Sequence, residues 1–301
     1  MAYQKSNLNI SVVIPTYKRP KALQKCAEQI IIQLGKYDEL IICNDDRDKP
    51  VMLPSHIVNN QQVRIIDNIG NRGPGATRNF GVLNAKNNYV LFVDDDDLLR
   101  NGYIMSIKQT LRKHPDAEYG GCAISFSHAR YQDNRQDFLL SEIAGHVTKA
   151  SELLFGAGCG MWFKKSSFIK IGMFNENLIN SEDNDLCARA AATGLICHKF
   201  EEIWMYVNGA NSGEEPHITN TTTSKEKVNC WWLVYKLNWH RLPFHNGVRV
   251  ILLERFIRRS IRDDFAVVCC TKIMMNPRDL LILPAFFYIL LLLIKYKILR
   301  K

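Results

Sequence analysis

Apolar and polar positions fall in alternating blocks along the first part of the chain. Asn9-Ile10-Ser11-Val12-Val13-Ile14 is a short apolar run stopped by Pro15, and Glu39-Leu40-Ile41-Ile42-Cys43 is a second. Val63-Arg64-Ile65-Ile66 and Tyr89-Val90-Leu91-Phe92-Val93 are the third and fourth. Runs of this length, rich in β-branched and aromatic residues and bounded by polar ones, predict buried strands. Between them the period changes. Lys21 to Leu34 sets Leu23, Ala27, Ile30, Ile31 and Leu34 near helical spacing, and Ala76 to Ala85 suits a second helix. Strand and helix in alternation, with polar residues after each strand, predict an α/β domain with a mostly parallel, doubly wound sheet. From about residue 117 the alternation loosens. Glu118 to Phe126 and Gly160 to Phe163 read as further strands, and Asp183 to Thr193 as a helix closed by Gly194. Beyond about residue 220 the chain reads as helical and aromatic, with Trp231, Trp232, Tyr235 and Trp239.

The chemistry collects at the ends of the predicted strands. Asp45-Asp46 follow the second, a glycine-rich stretch from Asn68 to Asn79 follows the third, and four consecutive aspartates, Asp94 to Asp97, follow the fourth. Open α/β sheets bind ligands at the C-terminal ends of their strands. Four like charges at one point repel unless a cation sits among them, and hard divalent ions such as Mg²⁺ or Mn²⁺ prefer carboxylate oxygen. A solvated acidic loop is the plainer alternative. The glycine-rich stretch lacks the Gly-Lys-Ser/Thr ending of a Walker motif and does not spell G-x-G-x-x-G, so alone it reads equally as a tight turn before a helix.

Order adds what single motifs do not. Pro15-Thr16-Tyr17, Asp45-Asp46, Asn71-x-Gly73 with Ala76-Thr77-Arg78-Asn79, and Asp94-x-Asp96 succeed one another. Gly172-Met173-Phe174 and Ser181-Glu182-Asp183-Asn184-Asp185-Leu186 with Arg189 complete the series. Across roughly residues 9 to 210 this pattern resembles the family 2 glycosyltransferases of the GT-A fold. The resemblance implies a Rossmann-like nucleotide-sugar-binding domain over residues 1–220 and an inverting transfer from a nucleotide diphosphate sugar, UDP in the first instance. It implies that Pro15, Thr16 and Tyr17 pack on the base and ribose. Asp45 or Asp46, with Asp46 preferred, would accept a hydrogen bond from a base N–H. Asn71 would belong to the donor site, and Arg78 would reach the base or the phosphates; a surface arginine paired with an aspartate is its plainer role.

The same resemblance gives Asp96 to a Mn²⁺ or Mg²⁺ ion, with Asp94 beside it, and gives Asp94 and Asp95 to donor hydroxyls. Asp97 would support them. Asp183 matches the catalytic base, taking the acceptor hydroxyl's proton during in-line attack. Glu182 would contact the acceptor or orient that base, and both acids also suit a helix N-terminus. Trp162 is a candidate to stack on an acceptor sugar or to fill the core, and His217 a candidate to complete the metal shell. The Q-x-x-R-W signature of processive members is not apparent, which implies one sugar added per encounter.

Charge then separates the two ends of the chain. The net charge of +9 is carried by residues 221–301, with 15 Lys/Arg against 5 Asp/Glu, while residues 1–220 hold 24 against 25. In Val248 to Arg262, Val250, Leu253, Ile257 and Ile261 share an arc of about 80°, opposite Arg255, Arg258, Arg259 and Arg262. A basic amphipathic helix of this kind suits an anionic membrane surface, with the flank of the catalytic domain as the competing use. Leu280 to Ile294 is apolar but reaches only about 22 Å as a helix, short of a roughly 30 Å hydrocarbon core. The basic residues alternate with long aliphatic stretches, which argues against nucleic acid. Nine cysteines without a C-x-x-C, mostly in apolar surroundings, fit a reduced, cytosol-facing protein.

The combined expectation is a glycosyltransferase with a helical, membrane-associating C-terminal region over residues 221–301. It would sit on the cytoplasmic side of the inner (plasma) membrane, peripheral or monotopic. Its acceptor would be a glycan or lipid-linked glycan of surface polysaccharide or lipopolysaccharide synthesis. Two other readings stay open on the residues alone. A nucleotidyltransferase would use Lys18-Arg19 on a triphosphate, and a metal-dependent glycan-binding module would have no need of Asp183.

Overall fold

A computed structural model describes residues 8–125, 143–156, 159–207, 222–243, 246–265 and 272. The four predicted strands form as β1 (Ile10–Thr16), β2 (Glu39–Asn44), β3 (Val63–Asp67) and β4 (Tyr89–Val93). They pair in the order β3-β2-β1-β4, all parallel. Helix α1 (Pro20–Ile31) links β1 to β2, and after β2 the chain makes the short α2 (Ser55–Val58) before β3. Helix α3 (Pro74–Asn84) leads into β4. The predicted helix limits move by a few residues because Pro20 and Pro74 start these helices, where the missing N–H costs nothing.

Beyond β4 the sheet departs from the expected parallel pattern. The chain continues as β5 (Leu98–Leu99), α4 (Tyr103–Lys113), β6 (Tyr119–Ser125), β7 (Gly145–His146) and β8 (Cys159–Lys164). Then follow α5 (Lys165–Lys170), α6 (Glu182–Ala192) and β9 (Cys197–Tyr206). Strand β8 lies antiparallel between β4 and β6, β6 and β9 pair in parallel, and β5 and β7 both run antiparallel to β9. The sheet is therefore mixed, with its parallel half built from the first hundred residues.

Each central strand is buried on both faces, which is why it reads as an unbroken apolar run. Successive residues still serve different layers. Val12, Ile14, Leu40, Ile42 and Leu91 pack toward Leu23, Ala27, Ile30 and Ile107 on one side. Val13, Ile41, Val90 and Phe92 pack toward Val82, Leu186 and the C-terminal helices on the other. Helix α3 comes unusually close to this second face. A Cβ on Gly81 would lie 2.5 Å from Val13 Cγ1 and 2.7 Å from Cys43 Sγ.

The C-terminal helices α7 (Ser224–Asn238) and α8 (Gly247–Arg262) correct the expected membrane role of the 248–262 segment. Val248, Leu252, Leu253, Phe256 and Ile257 are buried in the same cluster as Val228, Val234, Tyr235 and Leu186. The apolar stripe thus covers a flank of the α/β domain. Three arginines of the opposite face pair within the helix or just past its end, Arg258 with Glu254 and Arg259 and Arg262 with Asp263. Among the described residues no helix is long and apolar enough to cross a membrane. Leu280 to Ile294 lies outside the described residues.

At the far edge of the sheet, His198 of β9 is buried between His114 and His146, with ring centroids 4.6 and 5.6 Å away. Burial pushes its pKa down to about 4 from 6.5, the two neighbouring imidazoles add to this, and Asp116 opposes it. The unfolded chain therefore takes up this proton first as pH falls. The stability tied to neutral His198 is full above pH 6.5 and is lost as pH falls toward 4. The acid side of a Tm-versus-pH curve should accordingly be shallower in His198→Leu than in the wild type, whatever the change in absolute Tm. Gly81→Ala should lower the free energy of urea unfolding by about 1–3 kcal/mol through overpacking, outweighing the roughly 1 kcal/mol that alanine gains in a helix.

Candidate active site

The C-terminal ends of β1, β2 and β4 open into a cleft of about 500 Å³. Strands β1 and β2 end level with each other, Thr16 opposite Asn44, and Val13 opposite Phe92 sets the aspartates beside Pro15–Tyr17. The cleft wall includes Pro15, Thr16 and Tyr17, Asp45, Asp94, Asp95 and Asp96, and Arg78. Its opposite wall is the stretch Ile179–Glu182 at the start of α6.

The four aspartates are not equivalent. Asp94 accepts from Arg78 Nη2 at 2.6 Å, and its side chain is about one-third exposed. Asp95 is buried, accepts from Thr16 Oγ1 at 2.7 Å and pairs with Arg19 Nη1 at 3.1 Å. Asp96 takes the same Arg19 nitrogen at 2.7 Å. Asp97 is buried, and its amide donates to the Asp94 carbonyl at 3.1 Å. Burial pushes the Asp95 carboxyl up to about 7; Asp96 and Asp94 add to the rise, and Arg19 and the Thr16 hydroxyl oppose it. Arg19 and Arg78 thus sit among the clustered carboxylates. In the sequence Arg19 stands out only as half of the basic pair Lys18-Arg19, although its place two residues after Tyr17 puts it just past the end of β1.

Asp45 shapes the loop before α3. Its Oδ1 accepts from Asn68 Nδ2 at 2.8 Å and its Oδ2 from the Gly73 amide at 2.9 Å. Gly73 has φ +105°, which suits glycine, and caps the helix that presents Arg78 in its second turn. Asp46 is also buried, but its Oδ1 accepts from the Asp48 amide at 3.2 Å, and it does not line the cleft. Of the two, Asp45 is the one on the cleft wall. Asn71 also departs from expectation, since its amide donates to Glu176 Oε2 at 2.6 Å and does not line the cleft. Glu176 Oε1 accepts from Asn79 at 3.0 Å as well, which ties the glycine-rich stretch to the segment after Phe174.

Arg78 joins the two walls. Its Nη2 holds Asp94 and its Nη1 holds Glu182 Oε1 at 2.9 Å, across 104 residues of sequence, with the guanidinium 5.5 Å over the Phe174 ring. It is buried, so it is not a surface arginine. Burial alone would weaken its hold on its proton, but Asp94 and Glu182 more than offset that and raise its pKa above the ordinary value. Glu182 is pushed up by burial and by Asp183, against Arg78.

Helix α6 begins with Ser181 in the left-handed region, φ +61°, so that three acids enter its first turn, where carboxylates interact favourably with the helix dipole. Asp183 is half-buried and accepts at Oδ1 from the Asn184 amide N–H and side chain, both at 2.7 Å. Asp185 and Arg189 form a buried pair at 2.7 Å, extended by Asn238 of α7 at 2.7 Å.

Two candidates fall away from the cleft. Trp162 is fully buried in β8 within the core and offers no face to a sugar, which corrects the stacking role. Gly120 explains its seat, because a Cβ there would lie 2.4 Å from the Trp162 ring. His217 lies outside the described residues. Among the described residues no group of three or more His, Cys, Asp or Glu side chains is arranged to hold a metal. Mg²⁺ and its analogues are commonly bound by only one or two carboxylates together with substrate phosphates, and Asp94 and Asp96, paired with Arg78 and Arg19 in this structure, are the cleft carboxylates that would serve.

Removing one partner of a buried ion pair leaves an uncompensated charge. Arg78→Ala should therefore cost about 3–5 kcal/mol in urea unfolding. Adding Glu182→Gln should recover part of that loss, and strictly additive losses would remove the Arg78–Glu182 coupling.

The model of the family described as "Glycosyl transferase family 2" matches residues 11–172. The glycosyltransferase GlyG of Streptococcus pneumoniae is 26% identical over 182 residues, covering 56% of this chain and 58% of that protein. The Campylobacter jejuni GalNAc(5)-diNAcBac-PP-undecaprenol beta-1,3-glucosyltransferase is 26% identical over 184 residues, covering 58% of this chain and 57% of its own length. The chain thus spans less than two-thirds of these curated relatives. Among solved structures, residues 1–349 of TarS from S. aureus, in complex with UDP-GlcNAc, superpose with a TM-score of 0.66 at 16% identity, over 84% of this chain and 73% of that one. The mannosyltransferase PcManGT from Pyrobaculum calidifontis, in complex with GDP-Man and Mn²⁺, gives 0.59 at 13% identity, over 96% and 81%. These two likenesses concern the fold, a GT-A-like α/β architecture. With the family match spanning more than half of the 301 residues, the chain belongs to glycosyl transferase family 2.

Proposed function

We propose that the chain transfers one sugar from a nucleotide diphosphate sugar, UDP in the first instance, to a hydroxyl of a glycan acceptor, with inversion at the anomeric carbon. One observation carries the reading. A single cleft brings the carboxylates after β4 against the acidic start of α6, and Arg78 bridges them. Acidic groups from both walls are thereby held at one cleft, with Asp183 next in sequence to the lining residue Glu182, which supports an in-line displacement.

The base and ribose lie along Pro15, Thr16 and Tyr17, with Asp45 within reach of a base N–H. Asp94 and Asp95 take ribose or sugar hydroxyls. Asp96 and Asp94 would hold Mn²⁺ or Mg²⁺, which supplies Lewis-acid neutralisation of the charge left on the diphosphate. Asp183 takes the acceptor hydroxyl's proton as the new bond forms, and Glu182 orients acceptor or base from its place on Arg78. A lipid-linked acceptor in surface polysaccharide or lipopolysaccharide synthesis fits the basic C-terminal sequence and what the C. jejuni relative's name says of that enzyme. Peripheral attachment at the cytoplasmic face of the membrane then rests on residues 280–301 rather than on α8.

The test is Mn²⁺-dependent turnover of UDP-, GDP- and dTDP-sugars by the wild type and Asp183→Asn, with water or a native membrane extract as acceptor. We expect turnover of one donor class and a loss of at least about a hundredfold in Asp183→Asn. Absence of turnover by the wild type with every donor would overturn the reading, and full activity in the variant would remove Asp183 as base.

A further inference from the structure

Helix α8 delivers one side chain to the catalytic helix. Arg255 lies 71 residues beyond Asn184, and its Nη1 donates to the Asn184 side-chain oxygen. Its guanidinium sits 5.7 Å over the ring of Trp231 from α7. Leu252, Phe256 and Ile257 of the same helix are buried in the core.

The consequence falls on Asp183 through simple donor arithmetic. A guanidinium has donors only, so the amide of Asn184 must turn its oxygen to Arg255. That leaves the amide nitrogen on the other side, where Asn184 Nδ2 donates to Asp183 Oδ1 at 2.7 Å, beside the backbone amide at the same distance. Without the arginine the Asn184 side chain loses the second partner that fixes its position beside the carboxylate. Charge acts in the same direction, because a nearby cation favours the ionised carboxylate. The other arginines around this helix are engaged elsewhere, Arg78 with Asp94 and Glu182 and Arg189 with Asp185. Burial makes Arg255 hold its proton less tightly than usual, and Asp183 is foremost among the charges that oppose this loss.

We propose that Arg255 is a positioning residue for the reaction, orienting Asp183 through Asn184 and keeping it unprotonated to receive the acceptor's proton. This rests on the reading of Asp183 as the base. It gives the C-terminal helical pair a part in the chemistry.

The test compares pH profiles of kcat and kcat/KM for wild type, Arg255→Gln, Arg255→Lys and Asp183→Asn, using Mn²⁺-dependent hydrolysis of the preferred nucleotide sugar. Arg255→Gln should lower kcat by about tenfold to a hundredfold, as expected for a misplaced catalytic group. Its donor KM should stay within about threefold of the wild type. Its acid limb should move up by about one pH unit. Arg255→Lys, which keeps the charge, should return the acid limb toward the wild-type position, while the single-point ammonium leaves kcat short of full recovery. Thermal melts accompany each variant. An unchanged acid limb in Arg255→Gln while Asp183→Asn is inactive would overturn the role of Arg255 and leave the base assignment standing. Should Arg255→Gln fail to fold, an Arg255→Lys profile displaced as far as one unit would overturn the charge argument. Retained activity in Asp183→Asn would overturn both.

Discussion

The site depends on one buried guanidinium. Arg78 is reached from a helix seated hard against the sheet through Gly81, and it holds a carboxylate from each wall of the cleft. Burying an arginine is costly unless its charge is matched. Here two acids, Asp94 and Glu182, match it, and neither could approach the other without it. The arrangement converts electrostatic repulsion between two functional halves into a fixed separation. The fold around it serves the same end. The Asp45 carboxylate caps the glycine turn that aims α3, and Asn79 exchanges two hydrogen bonds with the backbone of Phe174, 2.9 and 3.0 Å, fixing the ring on which Arg78 rests.

Backbone strain marks the opposite wall. Met173 and Ser181 both adopt positive φ, +55° and +61°, which costs free energy for residues with a Cβ. The first follows Gly172 at +89° and reverses the chain after α5; the second turns it sharply into α6. The second sets Glu182 on the cleft wall opposite the strand ends. The C-terminal helices hold this turn from behind, through Asn238 on Asp185 and Arg255 on Asn184.

Much of the parallel half was legible in the sequence because parallel strands are buried on both sides and announce themselves as continuous apolar runs. The aspartates, the glycine turn and the acidic start of α6 likewise sit where motif order placed them. What could not be read was direction. The antiparallel entry of β8 leaves no trace in a six-residue segment whose neighbours are set by distant strands. Trp162 looked equally like a platform or a core residue, and only Gly120 opposite it decides for the core. Periodicity found the apolar face of α8 but not what covers it, since a stripe that suits lipid equally suits the flank of α6 and α7. The two arginines that complete the charge balance, Arg19 and Arg255, lie outside the acidic motifs they serve, so no local pattern singled out their partners.

Glycine at position 81, the clamp at Arg78 and the bracing of α6 also set an order of events during synthesis. The parallel core can assemble once β4 has emerged, because its pairings lie within the first hundred residues. The cleft then has a floor but one wall. Glu182 must close over 104 residues of chain to reach Arg78, and α8 must follow before Asn184 is held. Contacts of such long sequence separation form late, after most of the loop entropy has been lost. A nascent or truncated chain that ends before α8 can thus own every acidic motif and still lack the contact that braces the start of α6, so the second wall is completed by α8 rather than by the sheet.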